Sequence, residues 1–414
     1  VATQQPIFGI TLDGASNSTT EYTPINSRDV SFNATYNTIK QIIPADGTFK
    51  KMDIKLDTSV STGTWTIGIN VNGTVSSTLV GTIPSGATLS VEADQAVVTG
   101  DFVALEFTPT STPTSFTRVD WTFVFEPDTD DQYIVLGGGN NNQTNDTSTE
   151  QNHVEGAQTW NGIAANRDQM CAVSGTVGRM TAASDTALTA AGTIDVVLRI
   201  KTKDDGATVS SSMTASLTDS VQSDTDTTNT DSVVASDRIE VRYTSSGAGT
   251  HTLYWSFILV PTTAGSIPMF CGKVNDGNTS STEFNFFGMG LDWNGTRTIR
   301  DLEIVGDDSE IVITAHYVEL RNVAGTGASY TLRLEKNTFN EASSDVTISG
   351  ATDRSGNATG LSITCTNGDL INEECVPSSS PAPSARAPYY GYAFTFAGIS
   401  EATTQSFAYG LLIG

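Results

Sequence analysis

VDWTFVFEP at residues 119–127, LYWSFILVP at 253–261 and YGYAFTFAG at 390–398 decide the reading of this chain. Large apolar side chains alternate in each: Trp121, Phe123 and Phe125; Trp255, Phe257 and Leu259; Tyr392, Phe394 and Phe396. Successive strand residues point to opposite faces, so a period of two puts each set on one sheet face, toward a core. The stretches start 134 and 137 residues apart, the mark of a tandem repeat. Trp121, Trp255 and Tyr392, followed by Phe123, Phe257 and Phe394, are the expected core anchors.

A second landmark precedes each anchor strand. AVVTGDFVALEF (96–107) and SVVASDRIEVRY (232–243) both set an Asp at a turn before an alternating strand, and TNGDLINEECVP (366–377) follows them loosely. The repeat turn is therefore expected at Asp101, Asp237 and Asp369. A third landmark is a mid-repeat strand: TWTIGINVNG (64–73), TIDVVLRIKT (193–202) and SYTLRLEKN (329–337), with Trp65, Ile67 and Ile69, Ile194, Val196 and Leu198, and Tyr330, Leu332 and Leu334 facing inward. About 13 residues earlier, copy one carries Met52, Ile54 and Leu56 and copy three Tyr317 and Val318; copy two is poorly matched there, at GRMTAAS. Each copy opens on a short apolar strand, PIFGITL, QYIVLGG or PMFCGKV, ahead of a polar loop.

Four landmarks in constant order predict an all-β chain of three tandem β-sandwich or jelly-roll domains. The expected limits are 1–128, 129–264 and 265–414, each with about eight strands. The joints, DTDD (128–131) and TTAG (262–265), are short and polar, which implies fixed packing between neighbours. Three such domains can close into a compact body of pseudo-threefold symmetry; a linear rod is the alternative. SSSPAPSARAP (378–388) is expected to be an extended surface loop.

Composition narrows the function. Net charge is −25 and only 16% of residues are charged. Lys and Arg are sparse and scattered, so the basic stripe that neutralises phosphate is missing, which argues against a nucleic-acid partner. No run approaches the length of a membrane-spanning helix, so membrane insertion is not expected. Residues 1–12 lack the sections of a signal peptide, and a chain opening on Val1 is expected to have lost an initiator Met or a longer leader.

Catalytic patterns are missing. His153, His251 and His316 fall at unrelated offsets, His153 in a polar loop and His316 in an apolar strand, and share no zinc spacing. GGGNNN (137–142) reads as a loop, with no following Lys-Ser/Thr to hold phosphate. Glu303, Asp307 and Asp308 are the candidates for paired-carboxylate hydrolysis, yet in so acidic a chain they read as solvated turn residues. No cofactor is expected; Ca²⁺ in DTDD (128–131) or DTDTTNTD (224–231) is the one candidate, and neither segment carries the Gly and Glu of an EF-hand loop. Cys365 and Cys375 are close enough to bridge, but Cys375 also falls where Phe107 and Tyr243 stand, which reads as a buried free thiol. Eight N-x-S/T sequons permit glycosylation without indicating it.

IPADGTFKKMDIKL, GTWTIGINVNG, AVVTGDFVALEFTP and YIVLGGGNNN together resemble jelly-roll modules of virion proteins, such as phage tail fibres, head fibres and capsid decoration proteins. The resemblance covers copy one well, copy two partly and copy three loosely. It carries no catalytic residues. It implies a non-enzymatic structural protein of a virion, a decoration, spike or fibre component whose partners are other virion proteins or copies of itself. The alternative is an extracellular carbohydrate-binding or adhesive protein contacting host-surface glycan. Trp160 and Trp293, outside the main strand pattern, are its candidate platforms.

Overall fold

The computed structural model describes residues 3–26, 30–144, 148–156, 160–162, 167–189, 191–203, 208–272, 279–288, 293–307, 310–381 and 388–399. Strands dominate it. The first unit runs β1 (Gln5–Thr11), β2 (Glu21–Thr23), β3 (Gln41–Ile42), β4 (Gly47–Val60), β5 (Thr64–Val71), β6 (Thr74–Ile83), β7 (Gly86–Val97), β8 (Phe102–Thr110) and β9 (Val119–Pro127). The second runs β10 (Tyr133–Gln143), β11 (Thr149–Asn152), β12 (Gln169–Met170), β13 (Gly175–Ser184), β14 (Thr193–Lys201), β15 (Thr208–Thr218), β16 (Ser223–Val233), β17 (Arg238–Ser246) and β18 (Thr252–Pro261). The third runs β19 (Ile267–Gly272), β20 (Glu283–Phe286), β21 (Leu302–Glu303), β22 (Ile311–Leu320), β23 (Gly325–Lys336), β24 (Phe339–Asn340), β25 (Val346–Gly350), β26 (Ser355–Cys365), β27 (Leu370–Ser378) and β28 (Pro388–Phe396).

One sheet order occurs three times: β1-β9-β4-β7, β10-β18-β13-β16 and β19-β28-β22-β26. Facing these lie β2-β8-β5-β6, then β15-β14-β17 with β11 on β17, then β20-β27-β23 with β25 on β23. All pairs are antiparallel, and numbering the eight principal strands of a unit gives 1-8-3-6 opposite 2-7-4-5. This is the strand order of a jelly-roll sandwich. The alternating sets fill the space between the sheets: Trp65, Ile67, Ile69, Ile194, Val196, Leu198, Tyr330, Leu332 and Leu334 are all buried. The β5–β6 hairpin closes on Asn72-Gly73 with both φ positive, 52° and 83°, a primed turn whose twist suits antiparallel strands.

The strands that open and close each unit are buried on both faces, and so do not read as half-exposed. Their outer faces pack on the preceding unit. Ile134, Leu136 and Ile258 join the core of the first unit, and Phe270, Ala315 and Ala393 that of the second. Phe8 and Ile10 join the core of the third. Every unit thus touches both others.

Three segments differ from expectation. GRMTAAS forms most of β13, the counterpart of β4; a bulge at Gly178–Met180 breaks its alternation, and the small Ala182 stands opposite Trp255. GGGNNN lies within β10, not in a loop. DTDTTNTD lies within β16, where Asp224, Asp226 and Asp231 accept backbone N–H groups of Ser216, Thr214 and Ser212 on β15. Those carboxylates tie the two sheets together at their margins in place of forming a calcium loop. Most of the 378–388 segment lies outside the described residues.

Candidate functional site at the seams between units

The turn aspartates occupy one position three times. Asp101, Asp237 and Asp369 each accept, through Oδ2, the N–H three residues back: Val98 and Val234 at 2.9 Å, Thr366 at 2.8 Å. Their own carbonyls accept the N–H of Ile43, Cys171 and Ile304. Each turn is thereby fastened to the segment that leads into the unit's third principal strand. In units one and three an amide from the neighbouring hairpin, Asn72 or Asn337, donates to the other carboxylate oxygen. Burial raises the Asp369 pKa, but the Thr366 N–H and the Asn337 amide outweigh it and hold the carboxyl below its ordinary value. Asp237 has the Val234 N–H, and burial pushes its carboxyl up.

Trp121, Trp255 and Tyr392 are fully buried, as are Phe123 and Phe257, with Phe394 nearly so. Trp121 Nε1 donates to the Ile25 carbonyl at 2.7 Å and Trp255 Nε1 to that of His153 at 3.2 Å. Each indole faces a glycine across the ladder: Gly9 opposite Trp121, Gly137 opposite Trp255. A Cβ on Gly9 would lie 1.9 Å from the Trp121 ring, and one on Gly137 2.1 Å from the Trp255 ring. In unit three the same positions hold Met269 and Tyr392, so added bulk on one strand matches loss on the other. The next strand supplies Ile54, Ala182 and His316 in register. Leu105 and Val241 are likewise replaced by Glu373. The third core therefore contains a buried polar cluster: Tyr392 donates to Glu373, His316 stacks on Tyr392 at 4.4 Å, and His316 Nδ1 donates to the Ser344 carbonyl at 2.9 Å. Burial and the Glu373 charge push the Tyr392 hydroxyl well up.

Trp160 and Trp293 are not exposed platforms. They are 9% and 8% exposed; Trp160 packs edge-on against Tyr243 and beside Trp255, and Trp293 packs on Tyr390. The register shows a landmark that pattern reading missed. Phe32-Asn33, Trp160-Asn161 and Trp293-Asn294 repeat, each Asn making an isolated antiparallel bridge to the unit's second strand or its edge. The signal, FNA, WNG and WNG, was in the sequence. His153 lies just after β11, outside any strand, and is fully buried. Cys171, Cys271, Cys365 and Cys375 are buried, and Cys365 and Cys375 do not bridge. Asp308 lies outside the described residues, whereas Asp307 accepts the Asn367 amide at 2.7 Å. Among the described residues no group of three or more His, Cys, Asp or Glu is placed to hold a metal, and no helix is long and apolar enough to cross a membrane.

The polar chemistry gathers where units meet, and each seam differs. Between units one and two, Lys40 lies over the rings of Phe102 at 3.9 Å and Tyr254 at 5.0 Å, and burial lowers its pKa. Arg179 donates across to Thr99 Oγ1 at 3.0 Å, and Asn26 to Glu155 at 2.8 Å. Between units two and three, β12 pairs with both β17 and β19, fusing two sheets into one of nine strands. There Arg238 stacks over Tyr389 at 4.6 Å and pairs with Asp168 at 3.2 Å and Glu319 at 3.4 Å.

Between units three and one, Arg118 grips Asp120 through two bonds of 2.7 and 2.9 Å and donates to the Asp301 carbonyl at 2.9 Å. Asp120 Oδ1 also accepts the Glu303 N–H at 3.1 Å, and Lys55 pairs with Glu303. Burial pushes the Asp120 carboxyl up, against the pull of Arg118. Two clefts adjoin this seam. One, of about 280 Å³, is lined by Asp53, Lys55, Ser90, Glu303, Asp307 and Asn367; the other, of about 230 Å³, by Lys55, Asp57, Arg118, Asp120 and Glu303. Glu303 is thus half of an inter-unit ion pair. No family model and no curated protein matches the chain.

Proposed function

We propose that this protein is a non-enzymatic structural component of a virion, a capsid decoration, spike or fibre protein that makes protein–protein contacts in the particle. The observation that carries the reading is that three sandwiches of one strand order each pack on both others. Such a body can stand in for a homotrimer of single jelly rolls, since like units close into a ring when the rotation between neighbours allows it. Joining the units in one chain lets each seam and each outer face diverge. The strong negative charge supports solubility and repulsion between like particles.

The alternative, an extracellular carbohydrate-binding protein, loses its candidate platforms, because Trp160 and Trp293 lie inside cores. Antibody labelling of particles from the source, viewed by electron microscopy, tests the proposal. The expected result is label at regular positions on a particle. Recovery of the chain only as a free soluble species, with unlabelled particles, would overturn it.

A further inference from the structure

We propose that the face of unit one that receives unit three is a docking surface for unit three of a second copy of this chain, so that copies exchange a terminal unit. The seam joins the first and last units of the chain, and no peptide joint ties one directly to the other. Its two halves meet through one ion pair, Lys55 on unit one with Glu303 on unit three, and through the Arg118 guanidinium, which is held by Asp120 and donates across to the Asp301 carbonyl. Phe8 against Phe394, ring centroids 6.3 Å apart, adds apolar contact, and Gln4 accepts the Ile399 N–H at 2.7 Å. The two clefts already bring solvent against the ion pair.

The same two halves exist on every copy. A head-to-tail contact of this kind is satisfied equally well within one chain or between two. The other seams cannot substitute for it. Lys40 with its aromatic rings holds unit two on unit one, and Arg238 on Tyr389 holds unit three on unit two, so an exchanged unit three takes the place of its own counterpart against units one and two. The joints at 128–132 and 262–266 contain Asp131 and Gly265 at positive φ, 59° and 74°. Five extended residues span about 17 Å, which sets the reach of each joint. All three seams are restored in each exchanged body. Self-closure wins in dilute solution, and exchange wins where copies are crowded, since the second copy must compete with the tethered unit's effective concentration. The proposal concerns the chain in solution and stands apart from the particle reading.

Cross-linking tests it. Lys55→Cys and Glu303→Cys chains are unfolded together, refolded at high concentration and treated with a short bismaleimide; the four native thiols are buried. The expected product is a covalent pair of one chain of each kind, rising with refolding concentration. The double variant K55C/E303C, refolded dilute, is expected to cross-link within one chain. Internal cross-linking without any product between copies would overturn the proposal, and so would failure of the internal cross-link. Isotopically light and heavy unsubstituted chains provide a check free of substitutions. Refolded together, they are expected to give a light–heavy dimer by native mass spectrometry, and its absence at every concentration would equally overturn the exchange.

Discussion

At the scale of the residue, one turn position shows how environment sets the worth of a carboxylate. Asp369 is held below its ordinary value of 3.8, so its ionised form stabilises the fold above that pH. The contribution is lost as pH falls through the depressed folded value. Asp369→Asn should therefore cost about 0.5–1.5 kcal/mol near neutrality and progressively less below pH 3.8, as read by urea denaturation across pH. Asp237 is shifted upward by burial, and the sign reverses. Its ionisation opposes folding, so the advantage of the native chain over Asp237→Asn should grow as pH falls through the raised value. Equal pH profiles for the two variants would contradict this account. Gly9 offers a second test at this scale. A methyl group there meets the Trp121 ring, and Gly9→Ala should destabilise by about 1–3 kcal/mol, seen as a lower midpoint with an unchanged denaturant slope.

At the scale of the element, Trp160 fixes the loop after β11 onto the second core. Trp160→Ala should cost about 3–5 kcal/mol in thermal or chemical unfolding, as expected for a buried aromatic and not for a surface platform. Stability unchanged within error would contradict its placement. Alternation made the mid-repeat and final strands legible in the sequence, because their inner faces carry Trp65, Ile67 and Ile69, Trp121, Phe123 and Phe125, and their counterparts. β13 was illegible for a physical reason: the small Ala182 faces Trp255 where Ile54 faces Trp121, and a bulge resets the period. β3, β12 and β21 are two residues each, too short to show any period, yet they sit at or beside the seams. The polar cluster of the third unit hid likewise, since His316 and Glu373 gain meaning only when strand pairing sets them beside Tyr392. The repeated Asn bridge was readable, and was missed because its aromatic partner changes from Phe32 to Trp160 and Trp293.

At the scale of the whole molecule, closure follows from burial on two faces. The strands that open and close each unit are buried on both sides, and a lone sandwich would leave one side in water. Three units in a chain solve this by covering one another, and the chemistry of each seam keeps their order. Small-angle X-ray scattering tests this claim most directly. A compact body of 414 residues should give a radius of gyration of about 22–25 Å. A value of about 33 Å, with the long-tailed distance distribution of three beads in a row, would contradict it.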